Sequence, residues 1–199
     1  MKFGFLLTIW ILIVIQSLSL GQRTVQTYPN VVQKGDFLIN TGISIGHFKT
    51  GRYPFAYRTG VIPELSLSAE YALNDELSIG PIASHYIRSY KFDNGQDTYI
   101  FKSNRYFVGA RASYHFGKFL EKNLLSNFDS EVMDLYLTLG AGYKGTYFLD
   151  SKAQKGGNGV ITGIALLGMR YMFLENFGLF AEGGYGPFAV FTFGLAMRF

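Results

Sequence analysis

The sequence predicts an all-β fold: a closed, antiparallel, up-and-down transmembrane β-barrel of eight strands. Three observations carry the prediction. Segments of about ten residues alternate apolar with polar or small side chains, the pattern of strands that face two environments. Charged residues are only 16% of the 199-residue chain while aromatic residues reach 17%, too little charge to clothe a soluble surface. The charges that fall on the strands share a face with Gly, Ser and Thr. That is the inverse of a soluble lipocalin-like barrel, which would turn its apolar face inward.

Residues 1–21 read as a secretory signal peptide and 22–199 as the barrel domain. Lys2 gives the positive start, Phe3 to Ile15 is an almost unbroken apolar run, and Ser19 and Gly21 supply small residues before Gln22. The run approaches the length of an uncleaved anchor, but Gln16, Ser17 and Ser19 end it with polar groups. No later stretch is apolar enough for a membrane helix, so a span has to be made of strands. The chain has no Cys, which excludes disulfides, a lipid-modified N-terminal Cys and thiolate chemistry. Its net charge of +4, or +3 once the single charge of Lys2 is removed, is too small and scattered to hold nucleic acid.

In the first strand Phe37, Ile39, Thr41, Ile43 and Ile45 share one face, and Asn40, Gly42, Ser44 and Gly46 the other. The second places Leu65, Leu67, Ala69, Tyr71 and Leu73 outside and Glu64, Ser66, Ser68, Glu70 and Ala72 inside. After the Asn74-Asp75 turn a third strand covers about 77–90, with a bulge or local irregularity expected at Pro81, which has no N–H for the ladder. The fourth, 105–116, turns Gly109, Arg111, Ser113 and His115 inward, and the fifth, 134–148, turns Thr138, Gly140, Gly142, Lys144 and Thr146 inward. The sixth, 160–173, is apolar on both faces until Arg170, so its register is open. A turn at Glu175-Asn176 leads to the seventh, 177–186, with Glu182 inward. The last sets Ala189, Phe191, Phe193, Leu195, Met197 and Phe199 against Val190, Thr192, Gly194, Ala196 and Arg198.

An even strand number returns both termini to the periplasm, with long outer loops and short inner turns. The connections 47–61, 91–104 and 149–159 are the long ones, whereas 74–76 and 174–176 are tight. The turn at Gly186-Pro187 and the long connection 117–133 break that rule. In the latter, Leu120, Leu124, Leu125 and Phe128 recur at helical spacing opposite Lys118, Glu121, Lys122 and Asn123. This predicts either a short interfacial helix or an extension of the flanking strands. Aromatic girdles are expected at both rims: Tyr114, Phe116, Tyr171, Phe173, Phe177 and Phe199 below, and Phe48, Tyr86, Tyr106, Tyr147 and Tyr185 above.

The final eight residues resemble the C-terminal assembly signal of bacterial outer-membrane proteins, with Thr192, Gly194, Met197 and Phe199 in its four places. The mature chain is similar to the small outer-membrane β-barrel superfamily that includes the opacity proteins and the transmembrane domain of outer-membrane protein A. The turns Leu73–Gly80 and Leu174–Leu179 look like that superfamily's hairpins, and the chain is also similar to the short barrels of Bacteroidota. The resemblance implies insertion by the barrel-assembly machinery and contact with outer-membrane lipid and lipopolysaccharide. The family's periplasmic peptidoglycan-binding domain is expected to be absent, because Phe199 ends the chain, and no cofactor or metal is expected.

An eight-stranded lumen is just wide enough for its own side chains. The inward charges Glu64, Glu70, Arg88, Arg111, Lys144, Arg170, Glu182 and Arg198, with His115, are therefore expected to form internal ion pairs. A narrow path for ions or very small solutes is the alternative. Acyl-ester chemistry needs a nucleophile beside an oriented base. Ser84 and His85 point to opposite faces of a strand, and Ser113 with His115 would meet only in a crowded lumen, so no catalytic role is expected. His47 reads as a solvated polar residue at a loop mouth. The aromatic and cationic loops suit adhesion to an extracellular protein or glycan, or contact with lipopolysaccharide phosphates. Their candidates are Arg52, Tyr53, Phe55, Tyr57 and Arg58 in one loop and Lys91, Phe92, Tyr99, Phe101, Lys102 and Arg105 in the next. The competing reading makes both stretches plain strand extensions.

Overall fold

Among the described residues, period-two alternation resolves into nine β-segments and one short helix. The computed structural model describes residues 31–47, 56–61, 63–93, 98–123, 129–149 and 157–199. The elements are β1 (Phe37–His47), β2 (Ala56–Val61), β3 (Glu64–Ala72), β4 (Leu77–Asp93), β5 (Thr98–His115), α1 (Gly117–Asn123), β6 (Met133–Leu149), β7 (Gly157–Leu174), β8 (Phe177–Tyr185) and β9 (Ala189–Arg198). β2 and β3 pair with different stretches of β4 and together make one stave. The β4–β5 pairing then closes a barrel of eight antiparallel staves. The leader-like residues 1–21 lie outside the described residues.

The register fixes the geometry. A walk across paired residues runs from Phe37 through Tyr71, Ile79, Ala112, Leu139 and Ala165 to Tyr185. Extending the Gly183–Phe191 pairing by two residues reaches Ala189, which pairs with His47, ten residues beyond Phe37 on the same strand. A stagger of ten over eight strands tilts them by about 40° to the barrel axis. At the closing seam Phe37 and Phe199 exchange both backbone hydrogen bonds, at 2.9 and 3.0 Å. There Gly194 is required, because a Cβ would run into the Thr41 carbonyl oxygen.

Side-chain parity follows the alternation. Asn40 and Ser44 on β1, Glu64, Ser68 and Glu70 on β3, Arg111, Ser113 and His115 on β5, and Arg198 on β9 are buried, while Ile43, Leu65, Val108, Leu139, Leu179 and Phe193 are exposed on the outer wall. On β7, where the sequence left the register open, Ile164, Leu166, Arg170 and Met172 turn inward. Aromatic residues cover glycine gaps in the wall: Tyr106 lies over Gly145, and Tyr143 over Gly159.

Several expectations change. Of the two outcomes expected at Pro81 the structure has the local irregularity and not the bulge: the β3–β4 ladder lapses at Ala69 and Glu70 with the same register on either side, while β4–β5 pairing runs through Pro81 unbroken. Proline faces outward here and costs only local hydrogen bonds. The connection 47–61 is not all loop, since 56–61 pairs with the upper half of β4. Likewise β4 reaches Asp93 and β5 begins at Thr98, so the stretch 91–104 is mostly strand. Tyr86 belongs to the lumen rather than the outer girdle; it is 1% exposed. Phe48 lies outside the described residues. In the long lower connection α1 confirms the helical reading for Gly117–Asn123, while Leu124, Leu125 and Phe128 lie outside the described residues.

Candidate functional site in the barrel lumen

Along each strand the inward side chains change character with height, and the changes coincide. β1 passes from Leu38 to Asn40, β3 from Ala72 to Glu70, and β8 from Phe180 to Glu182. β7 carries the whole series: Met172, then Arg170, then Leu166 and Ile164. The lumen is therefore stacked in three layers. Val31, Val32, Leu38, Ala72, Met172, Phe180 and Ala196 close the bottom. Charged and hydroxyl groups fill the middle, and Ile82, Tyr86, Phe107, Ile164, Leu166 and Phe188 fill the top.

Arg111 is the hub of the middle layer. Its Nη2 donates to Glu182 Oε1 at 2.6 Å and to Thr138 Oγ1 at 2.8 Å, and its Nε lies 3.2 Å from Glu70 Oε1. Ser78 and Ser113 both donate to Glu70 Oε2, and Tyr136 donates its phenol proton to Glu182 Oε1 at 3.0 Å. Arg170 donates to Asp134 Oδ2 at 2.6 Å and to Asn40 Oδ1 at 3.3 Å, with its guanidinium 4.8 Å from the Tyr136 ring. All these side chains are buried. Removing such charges from water is costly unless each is paired and hydrogen-bonded. Two guanidiniums shared among three carboxylates and a shell of hydroxyls meet most of that requirement.

One triplet has the connectivity of a hydrolase. Ser78 Oγ lies 2.9 Å from His115 Nε2, and His115 Nδ1 lies 2.9 Å from Asp134 Oδ2. Sequence reasoning paired His115 with Ser113; the strand stagger instead delivers Ser78, and Ser113 bonds Glu70 and Thr138. Acyl transfer needs an accessible hydroxyl and room for a carbonyl carbon beside it. Ser78 is 0% exposed and spends its single proton on Glu70. The small cavity beneath His115 is capped by Val31, Val32 and Lys118 and does not reach Ser78.

The sequence-derived charges divide into three groups. Glu70, Arg111, Arg170 and Glu182 converge in the middle layer. Arg198 is at the floor, donating to the carbonyls of Val31 and Glu175 at 2.8 Å each and so holding the N-terminal segment in the barrel mouth. Glu64 is buried higher on β3, and Lys144 donates to the Pro187 carbonyl at 2.7 Å, bracing the short outer turn. The Arg88, Tyr57 and Arg58 side chains, and the whole of Arg52, Tyr53 and Phe55, lie outside the described residues. In the assembly-signal stretch, Thr192 bonds Ser44 at 2.7 Å, and Met197 is buried although it keeps the strand parity of outward Phe193. Sequence reading missed Ser78, Asp134, Tyr136 and Phe107. Asp134 and Tyr136 share the parity of inward Thr138, and Phe107 that of Gly109, so the alternation already pointed to them.

Below the network, Asp75 ties the floor together. Its carboxylate accepts from Lys118 Nζ at 2.6 Å and from the Lys34 backbone N–H at 3.0 Å. Those two bonds, the lysine's first, hold its pKa below the usual aspartate value. Asp36 is shifted the other way, raised by burial.

No family model and no curated protein matches the chain. Among solved structures, OprG, an outer membrane protein of Pseudomonas aeruginosa, aligns with a TM-score of 0.51 at 14% identity over 84% of this chain and 97% of its own. Ail, the attachment invasion locus protein of Yersinia pestis, solved with the heparin analogue sucrose octasulfate, aligns at 0.49 and 18% identity over 84% of this chain and 100% of its own. The N-terminal barrel domain of P. aeruginosa OprF aligns at 0.48 and 16% identity over 84% and 98%. The fold is that of small eight-stranded outer-membrane barrels. The placement in Bacteroidota gains no support from these matches.

Proposed function

We propose that the chain is a small integral outer-membrane barrel with a plugged lumen, serving a structural or surface-interaction role through its outer segments without catalysis. The observation that carries this reading is the inversion of the barrel. Most of the buried charge lies inside between two apolar layers, while a wall that is apolar apart from single groups such as His85, with aromatic rims, faces outward. Such a wall is stable only against hydrocarbon, and a side-chain-filled lumen leaves exchange with the surroundings to the segments above the wall. Those are the β2–β4–β5 extension and the connections around it, rich in Tyr, Phe, Arg and Lys, a composition suited to an extracellular protein or glycan.

Two measurements test the reading. Unboiled and boiled samples should migrate differently on a gel, and a barrel that unfolds without heating contradicts the membrane assignment. Deleting residues 50–58 should then leave heat-modifiability intact and abolish binding of the intact protein to heparin or extracellular-matrix protein. Unchanged binding would remove the surface-interaction role.

A further inference from the structure

The outer wall is not uniformly convex. A shallow cavity of about 830 Å³ opens on it, bounded by Thr41, Ile43, Leu65, Ala83, Tyr106 and Phe193 on five neighbouring strands. Its walls belong to the outward residues: Leu65, Val108 and Tyr106 are exposed there, whereas inward Phe107 and Ser84 are buried. The cause lies inside. At this height the inward residues of β1, β3 and β9 are Gly42, Ser66 and Gly194, which fill almost nothing. Gly42 lets the wall lie close against the Phe180 ring, where a Cβ would approach to 2.9 Å. Outside, small Thr41 and Ala83 lie between large Leu65, Tyr106 and Phe193, deepening the hollow.

Polar groups mark one end of it. His85 is exposed on the lining of the cavity, on the outward parity of β4 opposite Tyr106. An ionisable group on a membrane-facing wall is costly and signals a site. Lys102 is exposed on the same outward face of β5, four residues beyond Tyr106 and so about 13 Å further toward the outer rim. His85 stands at the outer end of the hollow and Lys102 beyond it toward the rim, which orients an amphiphile with its anionic head up and its chains down.

Resting on the outer-membrane reading above, we propose that this hollow is a binding site for one phosphorylated, multiply acylated glycolipid of the outer leaflet. Its chains lie across Thr41, Leu65, Leu67, Ala83 and Val108, and its phosphates meet His85 and Lys102. The breadth over five strands suits several chains rather than one, and the cavity volume lies within the about 300–1,000 Å³ of ligand sites. Charge complementarity at the outer rim sets this lipid apart from a generic annular one.

The test is native mass spectrometry of the full-length protein in detergent with purified lipid A, dephosphorylated lipid A or phosphatidylglycerol. One lipid A per barrel should survive release from the micelle. Ala83→Phe, which fills the hollow from outside, should weaken retention by roughly tenfold or more. Dephosphorylated lipid A, or the pair His85→Leu and Lys102→Ala, should lose a similar factor while heat-modifiability stays normal. Equal retention of phosphatidylglycerol, indifference to Ala83→Phe, or a protein dimer covering the face would each overturn the proposal. A heat-modifiable barrel that retains no lipid A defeats this inference alone. A chain that never becomes heat-modifiable defeats the membrane reading beneath it.

Discussion

Eight residues separate Ser78 from Tyr86 on β4, and over that distance the lumen changes from a lattice of hydrogen bonds to a hydrocarbon plug. The two layers occupy the same tube and exclude water by opposite means. In the middle each group is held by direction: Arg111 spans three partners on three strands, so position is set by donor and acceptor geometry. At the top Phe107, Tyr86, Ile164 and Phe188 are held by volume alone. A layer built on pairing fails abruptly when one partner is removed, because the others remain buried and charged. A layer built on volume fails in proportion to what is removed.

Four variants sharpen that contrast. Arg111→Ala strands Glu70 and Glu182 in the interior and should cost about 3–5 kcal/mol in urea unfolding from detergent or vesicles. Replacing Arg111 with Met and both carboxylates with Gln should recover most of that loss. A single variant costing under about 1 kcal/mol would show that the layer is hydrated rather than paired. Gly194→Ala acts on the seam instead of a layer. Backbone meets backbone there, so overpacking of about 1–3 kcal/mol and a fall in the heat-modifiable fraction are expected. Phe107→Leu should cost only about 1 kcal/mol, as a partly volume-conserving change in an apolar layer; a loss matching Arg111→Ala would erase the distinction between the layers.

The smallest effect belongs to the floor. Asp75 has its pKa lowered in the folded chain, so its contribution is present above the ordinary aspartate value of 3.8 and fades as pH falls through the lower folded value. Its side chain is 40% exposed, and solvent screening limits the contribution to about 1 kcal/mol or less. Asp75→Asn should therefore lower stability slightly at neutral pH, and the difference should shrink as pH falls through the folded value. A difference that grows on acidification would contradict the assignment.

The middle layer was legible in the sequence because charge on a barrel strand has one reading: Glu70, Arg111 and Glu182 fall where alternation placed them, and Arg170, on a strand whose register was open, falls where its charge placed it. The top layer was not, because an aromatic residue fits either face of a barrel strand. Tyr86 was read as a girdle residue although it has the parity of Ser78 and Ser84, and near the rim parity is a weaker guide than composition. The partners of His115 were out of reach for another reason. Which strand brings Ser78 beside it depends on the stagger of the barrel, a property of pairing that alternation along one strand does not encode. The outward hollow was hidden similarly, since it arises where Gly42, Ser66 and Gly194 meet on adjacent strands.

The central claim is that these layers seal the tube, and single-channel recording in planar bilayers tests it most directly. Folded, heat-modifiable protein should insert without any stable unitary conductance. Reproducible conductance that Glu70→Ala or Arg111→Ala abolishes would contradict the account and make the charged middle layer an ion path.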